Sequence, residues 1–233
     1  MRVLLGVCVL LCVLNCEDKQ TSKHTNTSVT KDSVATVAKT PPKKKTGPEY
    51  PKLSDDTAME FFLDYEKEHK ENQVRITTDY GTIDLLLYDK TKFHRANFIY
   101  LTKRGYFNGT QFYRVVKDFV IQGGSSDDYK LAKRRQKIGK YLLPPDTKRG
   151  YTHKRGAVSM PSSEIENAYK LASPFQFFII QRHGGAAYLD KDYTVFGEVI
   201  SGMDVVDKIN AVKTDDGDWP LQNVYLRNVE IIK

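Results

Sequence analysis

Arg114 lies in Gln111-Phe112-Tyr113-Arg114-Val115-Val116, where strand alternation puts it on one face with Phe112 and Val116. A guanidinium between two apolar neighbours cannot stay unpaired in a core, so two readings are open. Either it is held in a structural ion pair, with Asp118 as a candidate partner, or it lines a cleft as a fixed cationic donor. Gln122, which closes the apolar run Phe119-Val120-Ile121 beside Gly123-Gly124, poses the same choice between a satisfied strand end and a site amide. Other chemistries find little to work with. The three cysteines sit at 8, 12 and 16, so the main body has no disulfide framework, thiolate metal site or cysteine nucleophile. The five histidines (24, 69, 94, 153, 183) lack ligand spacing, and His94, ahead of a helix, reads as structural. No G-x-S-x-G or H-E-x-x-H motif occurs. His183-Gly184-Gly185-Ala186 lacks the nucleotide-binding spacing and reads as a turn.

The elements around these residues are short. Val74–Thr78 and Thr82–Leu87 read as a hairpin about Asp79-Tyr80-Gly81. His94–Arg104 carries Ala96, Ile99 and Tyr100 near helical spacing and stops at Gly105. Strands are predicted at Gln111–Val116, Phe119–Gln122, Gly156–Met160, Gln176–Ile180, Val195–Val199 and Val224–Ile232. A helix follows Gly202, with Met203, Val206, Ile209 and Asn210 marking its faces, and Asn108-Gly109-Thr110 reads as a turn rather than a glycosylation acceptor. Ser54 is a suitable N-cap for a helix over 54–66, whose Ala58, Phe61, Phe62 and Tyr65 form one face packed on the domain or on a partner. Short strands with few helices favour a closed barrel or sandwich over a parallel α/β sheet.

The segment Phe112-Tyr113-Arg114-Val115-Val116-Lys117-Asp118-Phe119-Val120-Ile121-Gln122-Gly123-Gly124 resembles the Phe-His-Arg-Val-x-x-x-Phe-x-x-Gln-Gly-Gly signature of the cyclophilin-type peptidyl-prolyl isomerases. Three further blocks resemble that family in its order: Gly156-Ala157-Val158-Ser159-Met160, Ser173-Pro174-Phe175-Gln176-Phe177-Phe178-Ile179, and Tyr188-Leu189-Asp190-Lys191-Asp192-Tyr193-Thr194-Val195-Phe196-Gly197. Ala96-Asn97-Phe98 and Gly105-Tyr106-Phe107 fit its first helix and the exit from it. The resemblance runs from about Val74 to Lys233. It implies a mainly β fold, a closed eight-stranded antiparallel barrel capped by two α-helices. It implies catalysis by Arg114, a proline pocket of Phe119, Val120, Phe178 and Leu189 closed by Tyr193, and substrate backbone held by Gln122 and Gln176. No cofactor or metal is implied, and the partners are X-Pro polypeptides. The chain also departs from the family. Tyr113 and Tyr193 stand where many members have His, Tyr188 replaces a Trp, and Pro161-Ser162-Ser163 replace Ala-Asn-Ala at a backbone-binding edge. Tyr113, Pro161, Ser162 and Tyr188 are therefore candidate groove-edge residues.

The 233 residues are 40% apolar and 11% aromatic, enough for a core in one domain with an appendage. A mean hydropathy of -0.50 excludes a multi-span membrane protein. The formal charge of +7 is uneven: residues 17–52 hold +4 and residues 53–233 only +2. Nucleic acid is accordingly not an expected partner, and the protein is expected to be a monomer. One segment differs, with ten Lys and Arg against the single acid Asp146 between Lys130 and Arg155. It reads as a solvated insertion or as a patch for acidic clients or lipid phosphates.

Met1-Arg2 precedes an apolar run, Val3–Leu14, too short to span a membrane and of signal-peptide length. Val13-Leu14-Asn15-Cys16 resembles the bacterial lipobox, although Asn15 is not the usual small residue. This implies lipidation at Cys16 and a place in the bacterial cell envelope. The expected organisation is a signal peptide over 1–15, a disordered tether over 16–52, a helical extension over 53–73 and the isomerase-like domain over 74–233.

Overall fold

The computed structural model describes residues 50–162 and 167–233. The expected signal peptide, Cys16, the tether up to residue 49, and Ser163 lie outside the described residues.

The chain enters the described body through a two-residue strand, β1 (Leu53–Ser54), and helix α1 (Asp55–Glu68). Ala58, Phe62 and Tyr65 of α1 are buried. The Phe62 ring meets Tyr100 and Tyr141 of the body, and the Tyr65 ring meets Tyr100, at centroid distances of 5.5–5.7 Å. Arg95 fixes the helix end. Only 1% exposed, it donates to the carbonyls of His69 (3.1 Å) and Glu71 (3.3 Å) and reaches the Glu66 carboxylate at 3.3 Å.

β2 (Gln73–Thr78) and β3 (Gly81–Leu87) form the expected hairpin, with Val74, Ile76, Ile83, Leu85 and Leu87 alternating into the core. α2 (Lys92–Lys103) follows, buried from His94 to Thr102, and Gly105 at φ +60° ends it, with Tyr106 N–H returning to the Leu101 carbonyl. β4 (Gln111–Val116) and β5 (Val120–Ser125) make a second hairpin. An insertion then carries α3 (Tyr129–Ile138) and the short β6 (Gly139–Lys140), which pairs in parallel with β1. Gly139 is obligatory there: its φ is +128° and a Cβ would sit 1.9 Å from the Leu53 carbonyl oxygen. β7 (Ala157–Ser159), β8 (Phe177–Ile180), β9 (Val195–Ser201), α4 (Met203–Asn210) and β10 (Leu226–Ile231) complete the body.

Eight strands form one antiparallel sheet in the order β10-β2-β3-β9-β7-β8-β5-β4. Its two ends meet through a single Gln111–Tyr225 bridge, with Phe112 N–H bonding Val224 O and Leu226 N–H bonding Thr110 O, both at 2.8 Å. The barrel is thus nearly closed rather than closed. Of its helices, α2 packs on β9 and β10 and α4 on β3, β4 and β5, α1 is the helix expected over 54–66, and α3 adds a helix within the basic segment. A large apolar cluster fills the interior. A smaller one, with Val120, Ala157, Phe178, Ile180, Ala186 and Val195 as its buried members, lies apart from it.

The strict alternation expected along β4 is broken. Phe112 pairs with Gly123 and Arg114 with the adjacent Gln122, so Tyr113 is an extra residue in the strand. Such a bulge reverses which face the following residues use. Phe112 and Val115 consequently join the main core, while Val116 packs against the smaller cluster and Arg114 stays 41% exposed.

Candidate active site

Above the smaller cluster lies a cleft of about 120 Å³. Its apolar surface comes from Phe119 at the β4–β5 turn, Val120 at the start of β5, Phe178 on β8, Leu189 at the end of a 3-10 turn, and Tyr193 and Pro161 from loops. Arg114 and Gln122 supply the polar groups. Phe178 is 5% exposed, with Tyr193 edge-on at 5.9 Å. The buried His153 ring stacks on Phe178 at 5.9 Å and 11°. His153 is held on both sides, with Nδ1 2.6 Å from Asp190 Oδ1 and Nε2 3.0 Å from Ser159 Oγ. Burial pushes its pKa below the usual histidine value, against the opposing pull of Asp190.

The turn that presents Phe119 is clamped from α4. Asn210 Nδ2 donates to the carbonyls of Val116 (2.8 Å) and Val120 (3.2 Å), and its Oδ1 accepts from Asp118 N–H at 2.9 Å. Asp118 takes φ +55° at the tip, a conformation that Asp tolerates better than most residues. The Phe119 ring lies 6.2 Å from Tyr188, nearly parallel to it, and 5.8 Å from the Arg182 guanidinium.

Arg114 pairs with Asp218, not with Asp118: its Nη2 is 3.1 Å from Asp218 Oδ2. Asp118 sits exposed at the turn, where its backbone N–H bonds Asn210. The loop carrying Asp218 is built by Asp215, whose Oδ1 accepts from Gly217 and Trp219 N–H at 2.9 Å. It is tied to β4 by Val115 N–H donating to Asp218 O at 2.8 Å. Trp219 rests 5.8 Å from the Tyr113 ring, and the Tyr113 hydroxyl accepts from Gln122 Nε2. Arg114, Gln122 and the bulged Tyr113 therefore stand together as the polar flank of an apolar cleft.

Of the residues singled out from the sequence, Arg114, Phe119, Val120, Gln122, Phe178, Leu189, Tyr193 and Pro161 are brought to one cleft. Gln176 is half-buried just before β8 and is not among the lining residues. Ser162 is half-buried and bridges to Ala172. Tyr188, 64% exposed, stands on the outer side of Phe119. His94 is fully buried against Phe196, away from the cleft. Sequence reasoning missed Asp218, Asn210 and His153. The acidic turn Asp215-Asp216-Gly217-Asp218 was visible as a run, but nothing in it points to Arg114. Among the described residues no group of His, Cys, Asp and Glu is arranged to hold a metal ion.

Fold and site together define a class: a nearly closed antiparallel barrel whose outer face carries a small apolar cleft flanked by one guanidinium. The pattern of the cyclophilin type peptidyl-prolyl cis-trans isomerase/CLD family matches residues 73–231. Peptidyl-prolyl cis-trans isomerase A of Dickeya dadantii is 36% identical over 173 residues, covering 69% of this chain and 84% of that protein. Peptidyl-prolyl cis-trans isomerase-like 2 of Rhizopus delemar is 36% identical over 169 residues, 72% of this chain but only 30% of that longer protein. A crystal structure of a Cryptosporidium parvum cyclophilin type isomerase, obtained in the presence of the dipeptide Ala-Pro, shares the fold with a TM-score of 0.57. It is 24% identical and covers 69% of this chain and 99% of that one. The chain belongs to the family of cyclophilin-type peptidyl-prolyl cis-trans isomerase enzymes.

Proposed function

We propose that this protein accelerates rotation about X-Pro peptide bonds by non-covalent stabilisation of the twisted state, with Arg114 as the catalytic residue. One observation carries the reading: the Arg114 guanidinium lines the same cleft as Phe119, Val120, Phe178 and Leu189. A volume of about 120 Å³ with mostly apolar walls suits a five-membered ring and leaves its peptide link beside the polar flank. Rotation is slow because amide resonance must be lost, at a barrier of about 18–20 kcal/mol. In the twisted geometry the prolyl nitrogen becomes pyramidal and gains a lone pair. A guanidinium donates to that nitrogen, or to the neighbouring carbonyl, more strongly than to the planar ground state, which is differential binding of the transition state. Neither a nucleophile nor a proton transfer is required. The small cis–trans difference, about 0.5–1 kcal/mol, is untouched.

The substrates on this reading are proline-containing segments of exported proteins. Cys16 behind the apolar run Val3–Leu14 supports a lipid-anchored enzyme of the bacterial cell envelope. The activity is tested by NMR exchange spectroscopy on an Ala-Pro peptide with the full-chain protein. Faster cis–trans exchange at catalytic concentration supports it. Peptide binding without faster exchange would instead describe a prolyl-peptide binding module on the same frame.

A further inference from the structure

The bases between Lys130 and Arg155 fall into two groups. One is used within the molecule: Arg149 pairs with Asp146 at 2.7 Å, Lys154 with Glu198 at 2.7 Å and Arg155 with Asp207 at 2.6 Å. Arg134 joins them by donating to the carbonyls of Gly105 and Asn108, both at 2.8 Å. The other group faces water. α3 turns Leu131 and Ile138 into the body and leaves Lys130, Lys133 and Lys137 exposed, with no ion pair on any of the three among the described residues. Beside the helix is a depression of about 360 Å³ whose lining includes Lys52, Arg135 and Lys140 and no acidic residue. A run of unneutralised cations is costly to hold together, since like charges repel.

We propose that this face, α3 with Lys52 and Lys140, docks on an anionic lipid bilayer. Three observations favour a bilayer over another polyanion. Lys52 immediately precedes β1, and the sequence that leads from Cys16 to it is itself basic, with Lys43-Lys44-Lys45 a few residues upstream. Tyr129 is 70% exposed at the start of α3 with the Lys133 ammonium 4.6 Å from its ring centre, an amphipathic side chain of the type that settles at headgroup level. α3 spans only ten residues, so its exposed lysines form a compact patch rather than an extended track for a polymer backbone. Lipid attachment becomes stable when a second signal such as a basic patch joins it. The proposal rests on the membrane-anchored reading above for what brings the face to lipid, while its charge stands without it.

The test is co-sedimentation of the full-chain protein with vesicles of phosphatidylcholine alone or with phosphatidylglycerol added. Anionic vesicles should bind roughly ten-fold tighter or more, and the gain should fall as salt rises. Lys130→Glu/Lys133→Glu/Lys137→Glu should lose most of that gain while binding to neutral vesicles as before. Should that chain misfold by circular dichroism, the milder Lys52→Ser/Lys140→Ser replaces it, with a smaller expected loss. A folded variant that keeps the full gain overturns the proposal, as does a wild type with no gain, or one that binds heparin but not anionic vesicles. Cys16→Ser separates this from the anchor. A serine variant that keeps the anionic gain supports the patch whatever becomes of lipidation, and one that loses it assigns binding to the anchor and overturns the patch.

Discussion

Asp218 occupies part of the donor fork of Arg114, at 3.1 Å from Nη2, while its own carbonyl holds the next residue of β4. The pair is 41% and 37% exposed, so solvent screens it and its worth is at the low end, about 0–1 kcal/mol. Its effect belongs to orientation rather than to stability. A guanidinium fixed on one side presents its remaining donors in a defined plane. Asp218→Asn keeps the shape and tolerates φ +64°. This variant should lower kcat about two- to five-fold, with KM and Tm nearly unchanged. A change confined to KM or Tm would show that the aspartate is only structural.

Among the elements, the β4–β5 hairpin matters most because it delivers both Arg114 and Phe119. Its turn depends on three hydrogen bonds from one side chain, Asn210 of α4. Asn210→Ala leaves those backbone groups without their partner in a mostly buried site, which costs about 1–3 kcal/mol. Thermal unfolding should register that loss, and KM for a prolyl peptide should rise as Phe119 loosens; an unchanged Tm would remove the clamp from the account. The same hairpin shows what could be read from the sequence. Its strands, its turn and its resemblance to a known signature were legible, because alternation and residue type are local. The bulge at Tyr113 was not. It comes from register against β5, so Phe112 and Arg114, expected to share a face, do not. Asp218, Asn210 and His153 escaped for the same reason, since each acts on a partner far along the chain. The α1 helix was legible as an amphipathic face, whereas its docking through buried Arg95 and the β1–β6 pairing depends on contacts between distant segments.

For the molecule as a whole, the buried histidines tie stability to pH. His94 is fully buried, neither ring nitrogen has a hydrogen-bond partner among the described residues, and burial lowers its pKa to about 4 against a weaker upward pull from Asp146. The unfolded chain protonates near pH 6.5. Between that value and about 4 the unfolded state binds a proton that the folded state refuses, so stability falls as pH drops through this window and is retained above it. His153, lowered by burial as well, works in the same direction. From pH 7 to pH 5, His94 alone should account for about 2 kcal/mol of lost stability in urea unfolding. His94→Leu should remove most of that difference. An equal loss in the variant would place the acid sensitivity elsewhere. His94 does not line the cleft, so exchange at pH 7 should be unaltered in His94→Leu.

One guanidinium beside an apolar cleft is expected to lower the rotational barrier. That expectation is tested most directly by NMR exchange of an X-Pro peptide with wild type and Arg114→Ala, alongside peptide titration and circular dichroism. The expected result is an intact fold, peptide affinity reduced only modestly, and exchange slowed by about a hundred-fold or more relative to wild type. An Arg114→Ala protein that still binds and still accelerates exchange as wild type does would contradict the account, leaving Arg114 a structural partner of Asp218.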